Sequence, residues 1–166
     1  MADNLLANKV SEEYAFLTKK LIERHLSITT MESCTGGLIA SLITDTEGAS
    51  AVMRGAFITY SNEAKVMEGV ASNVIDKYGV YSGETATAMA NTAKEKMASD
   101  IAISVTGSFG NVDPSNTDSI PGEVYFAIAF KDKCHDFFMR IPALGCRLDY
   151  KLYVADKVFE ELDRLL

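Results

Sequence analysis

Histidine is scarce in this chain: only His25 and His135 occur among 166 residues. A serine–histidine–acid triad therefore has little to be built from. Cysteine is short as well. Cys34, Cys134 and Cys146 cannot all pair with one another and match no metal-ligand spacing, which points to a reducing cytoplasm. Basic charge is outnumbered, 16 Lys and Arg against 23 Asp and Glu, for a net charge of −7. That balance excludes a general nucleic-acid role, because a phosphate backbone needs a basic footprint. One or two local cations still leave room for a small anionic ligand. Long apolar runs are missing, none approaching the ~20 residues of a membrane span. The start Met1-Ala2-Asp3-Asn4 also lacks the basic region and apolar core of a secretory signal. What remains, 48% hydrophobic and 23% charged, is the composition of a folded globular protein. The expectation is a single domain over residues 1–166, burying roughly two thirds of its unfolded surface.

The most informative stretch is Thr30-Met31-Glu32-Ser33-Cys34-Thr35-Gly36-Gly37. It closes a short strand expected over residues 27–31 and opens a helix expected over 38–43. A hydroxyl, a thiol and two glycines thus sit where backbone N–H groups lack partners and a helix dipole favours negative charge. Such a turn can hold a phosphate, or hold an oxyanion beside a nucleophile.

Around it, residues 3–25 place Leu6, Val10, Tyr14, Leu17 and Leu21 at helical spacing. Residues 54–60 read as a second strand, followed by a short helix through Lys65 and Val66. Residues 82–97 form a helix capped by Ser82, with Ala86, Met89, Ala90, Ala93 and Met97 on one face. A buried-type strand over 100–106 ends at a second glycine turn, and 111–121 form one long loop with two prolines. Residues 124–130 and 135–141 read as a hairpin around Lys131-Asp132-Lys133. A closing helix from about 145 carries Leu148, Leu152, Ala155, Phe159, Leu162 and Leu166. This order predicts an α/β sandwich with a mixed sheet flanked by helices.

Polar clusters at 32–37, 60–65, 106–110 and 145–151 follow expected strands or begin helices. The first three fall where ligand crevices form in open α/β sheets. Serine needs a neighbouring base to act as a nucleophile. Ser33 lies in neither a G-x-S-x-G elbow nor an S-x-x-K motif, and Gly36-Gly37 lacks a P-loop ending. Lys65, with the phenol of Tyr60, is the remaining local base, provided burial or a neighbouring cation lowers its pKa. Structural roles compete with each assignment. Ser33 can be a helix cap, Cys34 a small core residue, Tyr60 interfacial packing, and Lys65 and Arg147 solvated surface.

Taken together, these clusters resemble the CinA C-terminal domain family, the nicotinamide-nucleotide amidases. The matching blocks are Glu32-Ser33-Cys34-Thr35-Gly36-Gly37, Gly48-Ala49-Ser50 with Arg54-Gly55, and Tyr60-Ser61-Asn62-Glu63-Ala64-Lys65. Val80-Tyr81-Ser82 with Met89-Ala90, Val105-Thr106-Gly107, Pro121-Gly122-Glu123-Val124-Tyr125 and Gly145-Cys146-Arg147 follow in order. The resemblance implies hydrolysis of the carboxamide of nicotinamide mononucleotide to nicotinate mononucleotide and ammonia, with no metal or organic cofactor. It makes Ser33 the nucleophile, with Lys65 and Tyr60 handling its proton and that of the leaving ammonia. N–H donors of Cys34, Thr35, Gly36 and Gly37 would hold the oxyanion, Thr106 and Gly107 would line the crevice, and Asn62 would bind substrate or orient Lys65. Arg147 would grip phosphate or order the site. The implied partners are that small molecule and further copies of the chain, a dimer or higher, in a stand-alone form of the domain. Three positions depart from the family pattern: Asn111 stands where proline usually follows the glycine, loop 112–120 is acidic, and Lys151 replaces an arginine. A nucleotide-binding or regulatory module without catalysis, and a Cys34 nucleophile, are the competing readings.

Overall fold

The computed structural model describes residues 2–166, in the element order α1 (Ala2–Glu23), β1 (Ile28–Glu32), α2 (Leu38–Thr44), β2 (Met53–Ile58), α3 (Asn62–Met67), α4 (Ser72–Tyr78), α5 (Gly83–Met97), β3 (Ile101–Gly107), β4 (Glu123–Phe130), β5 (Lys133–Arg140) and α6 (Arg147–Leu165). The strands form one mixed sheet in the order β2-β1-β3-β4-β5. β1 pairs in parallel with both β2 and β3, whereas β3–β4 and β4–β5 are antiparallel. Helices cover both faces, so the central strands are buried on both sides. Every residue of β1 and β3 is buried, which explains why they read as runs of Ile, Val, Ala and Thr instead of alternating.

One face carries α1, α2 and α6. Val10, Tyr14, Leu17 and Leu21 of α1 are fully buried there together with Ile103, Val105 and Val158. Each such side chain contributes about 1.5–3 kcal/mol through the apolar area it removes from water. Polar ties close the same seam: the Tyr14 hydroxyl donates to the Ala155 carbonyl at 3.0 Å, and Lys20 pairs with Asp163 at 2.8 Å. The other face carries α5, whose Ala86, Met89, Ala90 and Ala93 pack with Met31, Ala102 and Ala127. The alanines let that helix lie close to the strands. Ser82 caps α5 by accepting from the Thr85 N–H at 3.1 Å.

Several boundaries differ from the sequence expectation. β2 ends at Ile58, so Tyr60 lies beyond the strand. Helix α4 and a 3₁₀ turn at Ala49–Ala51 were not anticipated. Leu148 is 54% exposed, whereas Tyr150 in the same turn of α6 is buried in the core. Among the described residues no helix is long and apolar enough to cross a membrane.

Candidate active site

The three parallel strands β2, β1 and β3 deliver their carboxyl ends to one edge of the sheet. Successive crossovers put α2 on one face and α5 on the other, so the order reverses at β1 and leaves a crevice there. Ser33 follows β1 directly and is tied to the neighbouring strand by its N–H, which donates to the Val105 carbonyl at 3.0 Å. Beyond β2 the chain turns at Ser61, whose hydroxyl caps α3 by accepting from the Ala64 N–H at 3.0 Å. One turn into α3, Lys65 points inward and is 1% exposed. Its Nζ donates to the Thr59 carbonyl at 2.8 Å and to Ser33 Oγ at 3.2 Å. Burial strips water from the ammonium and lowers its pKa to about 8, with the carboxylates of Asp113 and Glu63 acting in the opposite direction. The structure thus replaces the solvated-surface role of Lys65 with a buried contact to Ser33.

Ser33 does not cap α2; Gly37 occupies that position. The anion at the start of α2 is Glu32, fully buried at the end of β1. Its Oε2 accepts from the N–H groups of Gly37 (3.0 Å) and Ile39 (3.2 Å), and its Oε1 from the Ala40 N–H (2.9 Å) and the Thr30 hydroxyl (3.1 Å). The carboxylate thereby fills the place a phosphate would take at the helix start. Gly36 and Gly37 adopt φ of +60° and +93°. A side chain at Gly37 would also place its Cβ 2.9 Å from Ile58 Cδ1, so this position requires glycine. The Gly36 N–H donates to the Ser33 carbonyl at 2.9 Å. Both glycine amides are therefore committed within the turn, and the Cys34 and Thr35 N–H groups have no partner among the described hydrogen bonds.

A cavity of about 470 Å³ opens beside Ser33, within the roughly 300–1,000 Å³ usual for small-molecule sites. It brings together Ser33, Cys34, Tyr60, Asn62, Gly107 and Arg147 of the sequence-predicted residues. Lys65, behind Ser33, and Thr35, Gly36, Gly37 and Thr106 lie outside its lining. Thr106 is fully buried with its hydroxyl donating to the Val80 carbonyl at 3.0 Å, and the two glycines serve the turn and its link to Glu32. Burial pushes the Cys34 thiol up to about 12, with Lys65 pulling the other way, so near neutral pH it is a protonated thiol. Tyr60 is 62% exposed at the rim. Its hydroxyl accepts from Arg147 Nη2 at 3.2 Å, and the guanidinium lies 5.2 Å from the centroid of the Phe109 ring. Phe109 in turn stacks on Tyr150, centroids 5.2 Å apart.

The remaining wall is the loop after β3. Asp113 Oδ2 accepts from the Tyr81 hydroxyl (2.5 Å) and from Asn116 Nδ2 (2.6 Å), and Asn62 Nδ2 donates to Asn116 Oδ1 (2.8 Å). Asn62 therefore braces this loop. Sequence reasoning gave no role to Glu32, Tyr81, Phe109, Asp113 or Asn116. The available signals were an acid at a strand end five residues before Gly37 and the acidic residues of the long loop after β3.

Residues 10–166 match the model of the CinA C-terminal domain. A CinA-like protein of Leptospira borgpetersenii serovar Hardjo-bovis is 39% identical over 135 residues, covering 79% of this chain and 32% of that protein. The chain spans about a third of the length of the curated relatives it matches, 31% and 34% in two further cases. Two crystal structures share the fold. A CinA superfamily protein of Escherichia coli gives a TM-score of 0.85 at 26% identity, covering 95% of this chain and 90% of that one. The competence/damage inducible protein CihA of Agrobacterium tumefaciens gives 0.84 at 30% identity, covering 94% of each.

Proposed function

The chain belongs to the CinA C-terminal domain family, and from that premise we propose that it hydrolyses the carboxamide of nicotinamide mononucleotide, releasing ammonia and nicotinate mononucleotide. The observation that carries this reading is the buried Lys65 Nζ standing 3.2 Å from Ser33 Oγ. A lysine with a pKa near 8 holds enough free amine at neutral pH to take the hydroxyl proton, which an ordinary solvated lysine does not.

In the first half-reaction Ser33 Oγ bonds to the amide carbon while its proton passes to Lys65. Of the two free N–H groups in the turn, that of Cys34 belongs to a residue lining the cavity and is the donor left to meet the oxyanion; one such donor is worth about 3 kcal/mol of barrier. The C–N bond then breaks, the proton reaches the departing nitrogen through Lys65 or Tyr60, and ammonia leaves an ester on Ser33. Water attacks that ester, gives its proton to Lys65 and frees the carboxylate product, restoring Ser33. Arg147 is the group for the substrate phosphate: Tyr60 engages one guanidinium nitrogen, and the others remain to grip the anion.

Incubation with nicotinamide mononucleotide in the presence of a chelator tests the reading. Ammonia and nicotinate mononucleotide should appear in equal amounts; tight binding of the nucleotide without ammonia release would assign the pocket to a binding module instead.

A further inference from the structure

The cavity holds an anion that the reaction above does not use. Asp113 is fastened by neutral donors only: the Tyr81 hydroxyl at 2.5 Å, Asn116 Nδ2 at 2.6 Å and the Ser115 N–H at 2.9 Å. No lysine or arginine pairs with it among the described ion pairs. Burial works against its charge, but the hydrogen bonds from Asn116 and Tyr81 outweigh that and keep the carboxyl below the usual range. A carboxylate held ionised without a directly paired cation projects its field into the space it lines. That space is shared with Ser33. The field reaches the reacting end, since Asp113 and Lys65 each shift the other's proton affinity. Glu63 is the cavity's other carboxylate; it is exposed and so more strongly screened by solvent and salt. Among the described residues the one cation lining the cavity is Arg147, engaged with Tyr60; Lys65 is buried behind Ser33 and outside the lining.

Resting on the amidase reading, we propose that Asp113 is a specificity-determining residue that favours a neutral carboxamide at Ser33 over the carboxylate formed there by hydrolysis. The reaction changes the charge of the group beside Ser33 from zero to minus one and leaves the rest of the nucleotide unchanged. A fixed negative wall therefore acts on the difference between substrate and product. It offsets the attraction that protonated Lys65 has for the new carboxylate, and it lowers product affinity without a clash of shape.

The alternative is that Asp113 only staples its loop, and the two roles separate experimentally. Asp113→Asn keeps the side chain's shape and removes the charge, whereas Asn116→Ala loosens the staple and keeps the charge. Each is placed in a Ser33→Ala background and titrated calorimetrically with nicotinamide mononucleotide and with nicotinate mononucleotide. Asp113→Asn should raise affinity for the carboxylate relative to the carboxamide by about tenfold, the order expected for two like charges sharing a partly solvated cavity. Asn116→Ala should move both affinities together. An unchanged ratio in Asp113→Asn, or an equal change of ratio in Asn116→Ala, overturns the inference and leaves the amidase reading standing. Failure of either nucleotide to bind even the Asp113-intact protein overturns both.

Discussion

The turn after β1 and the loop after β3 both leave the carboxyl ends of parallel strands, yet they spend their polar groups in opposite directions. The β1 turn is directed inward. Glu32 takes up two backbone N–H groups of α2, the Gly37 N–H and one hydroxyl, and the Gly36 N–H bonds to the Ser33 carbonyl. The loop after β3 is directed at the cavity, with Asp113, Asn116 and Tyr81 linked to one another along its wall. A glycine-rich turn beside a candidate nucleophile can thus be mostly scaffold, while an irregular polar loop forms the wall of the cavity. Damage to the first region should be felt as stability and damage to the second as ligand preference, with Ser33 and Lys65 apart from both.

The largest effect should come from the pair itself. Lys65→Met keeps a long side chain in the buried slot but removes the base, and should lower kcat at least about a thousandfold, read as ammonia release. Next is Glu32→Ala, which strands three N–H donors at the start of α2 and the Thr30 hydroxyl on β1 and should cost about 3–5 kcal/mol of folding stability. A denaturant titration checks it, and a loss below about 1 kcal/mol would break the view of the β1 turn as scaffold. The pH profile follows from the lowered pKa of Lys65: its free amine is the competent form and gains population as pH rises. Accordingly kcat/KM should climb roughly tenfold per unit below about pH 8 and level off above it; a profile flat through that range contradicts Lys65 as the base. The smallest effect is expected for Tyr81→Phe, which removes one hydrogen bond to Asp113 and should cost only about 1 kcal/mol of stability while shifting KM more than kcat.

Much of the fold was legible because its elements carry their own punctuation. α5 has a serine cap and apolar residues three and four apart, β3 is a run of buried strand formers, and the hairpin turns at Lys131 with φ of +55°. α4 was not legible, since Ser72–Tyr78 is a short helix with Ile75 as its one buried residue, too little for a periodic pattern. Ser33 and Lys65 were legible as a pair by the scarcity of other bases. Their contact was not, because residue type alone says nothing of a lysine on a six-residue helix turning under a neighbouring strand end. The role of the Gly36 and Gly37 amides was hidden for a related reason. Whether an N–H is free depends on where the Glu32 side chain folds back, which neither spacing nor composition encodes. Asp113 was visible only as acidity in a loop; its cavity-facing hydrogen bonds require Tyr81 and Asn116 to meet it in space.

Ser33, with Lys65 behind it, is the nucleophile we propose for an amidase. Ammonia release from nicotinamide mononucleotide, measured side by side for the native protein and Ser33→Ala at matched thermal stability, tests it most directly. The native protein should turn over and the variant should give nothing above background; equal release by both, or release by neither, would contradict that role for Ser33.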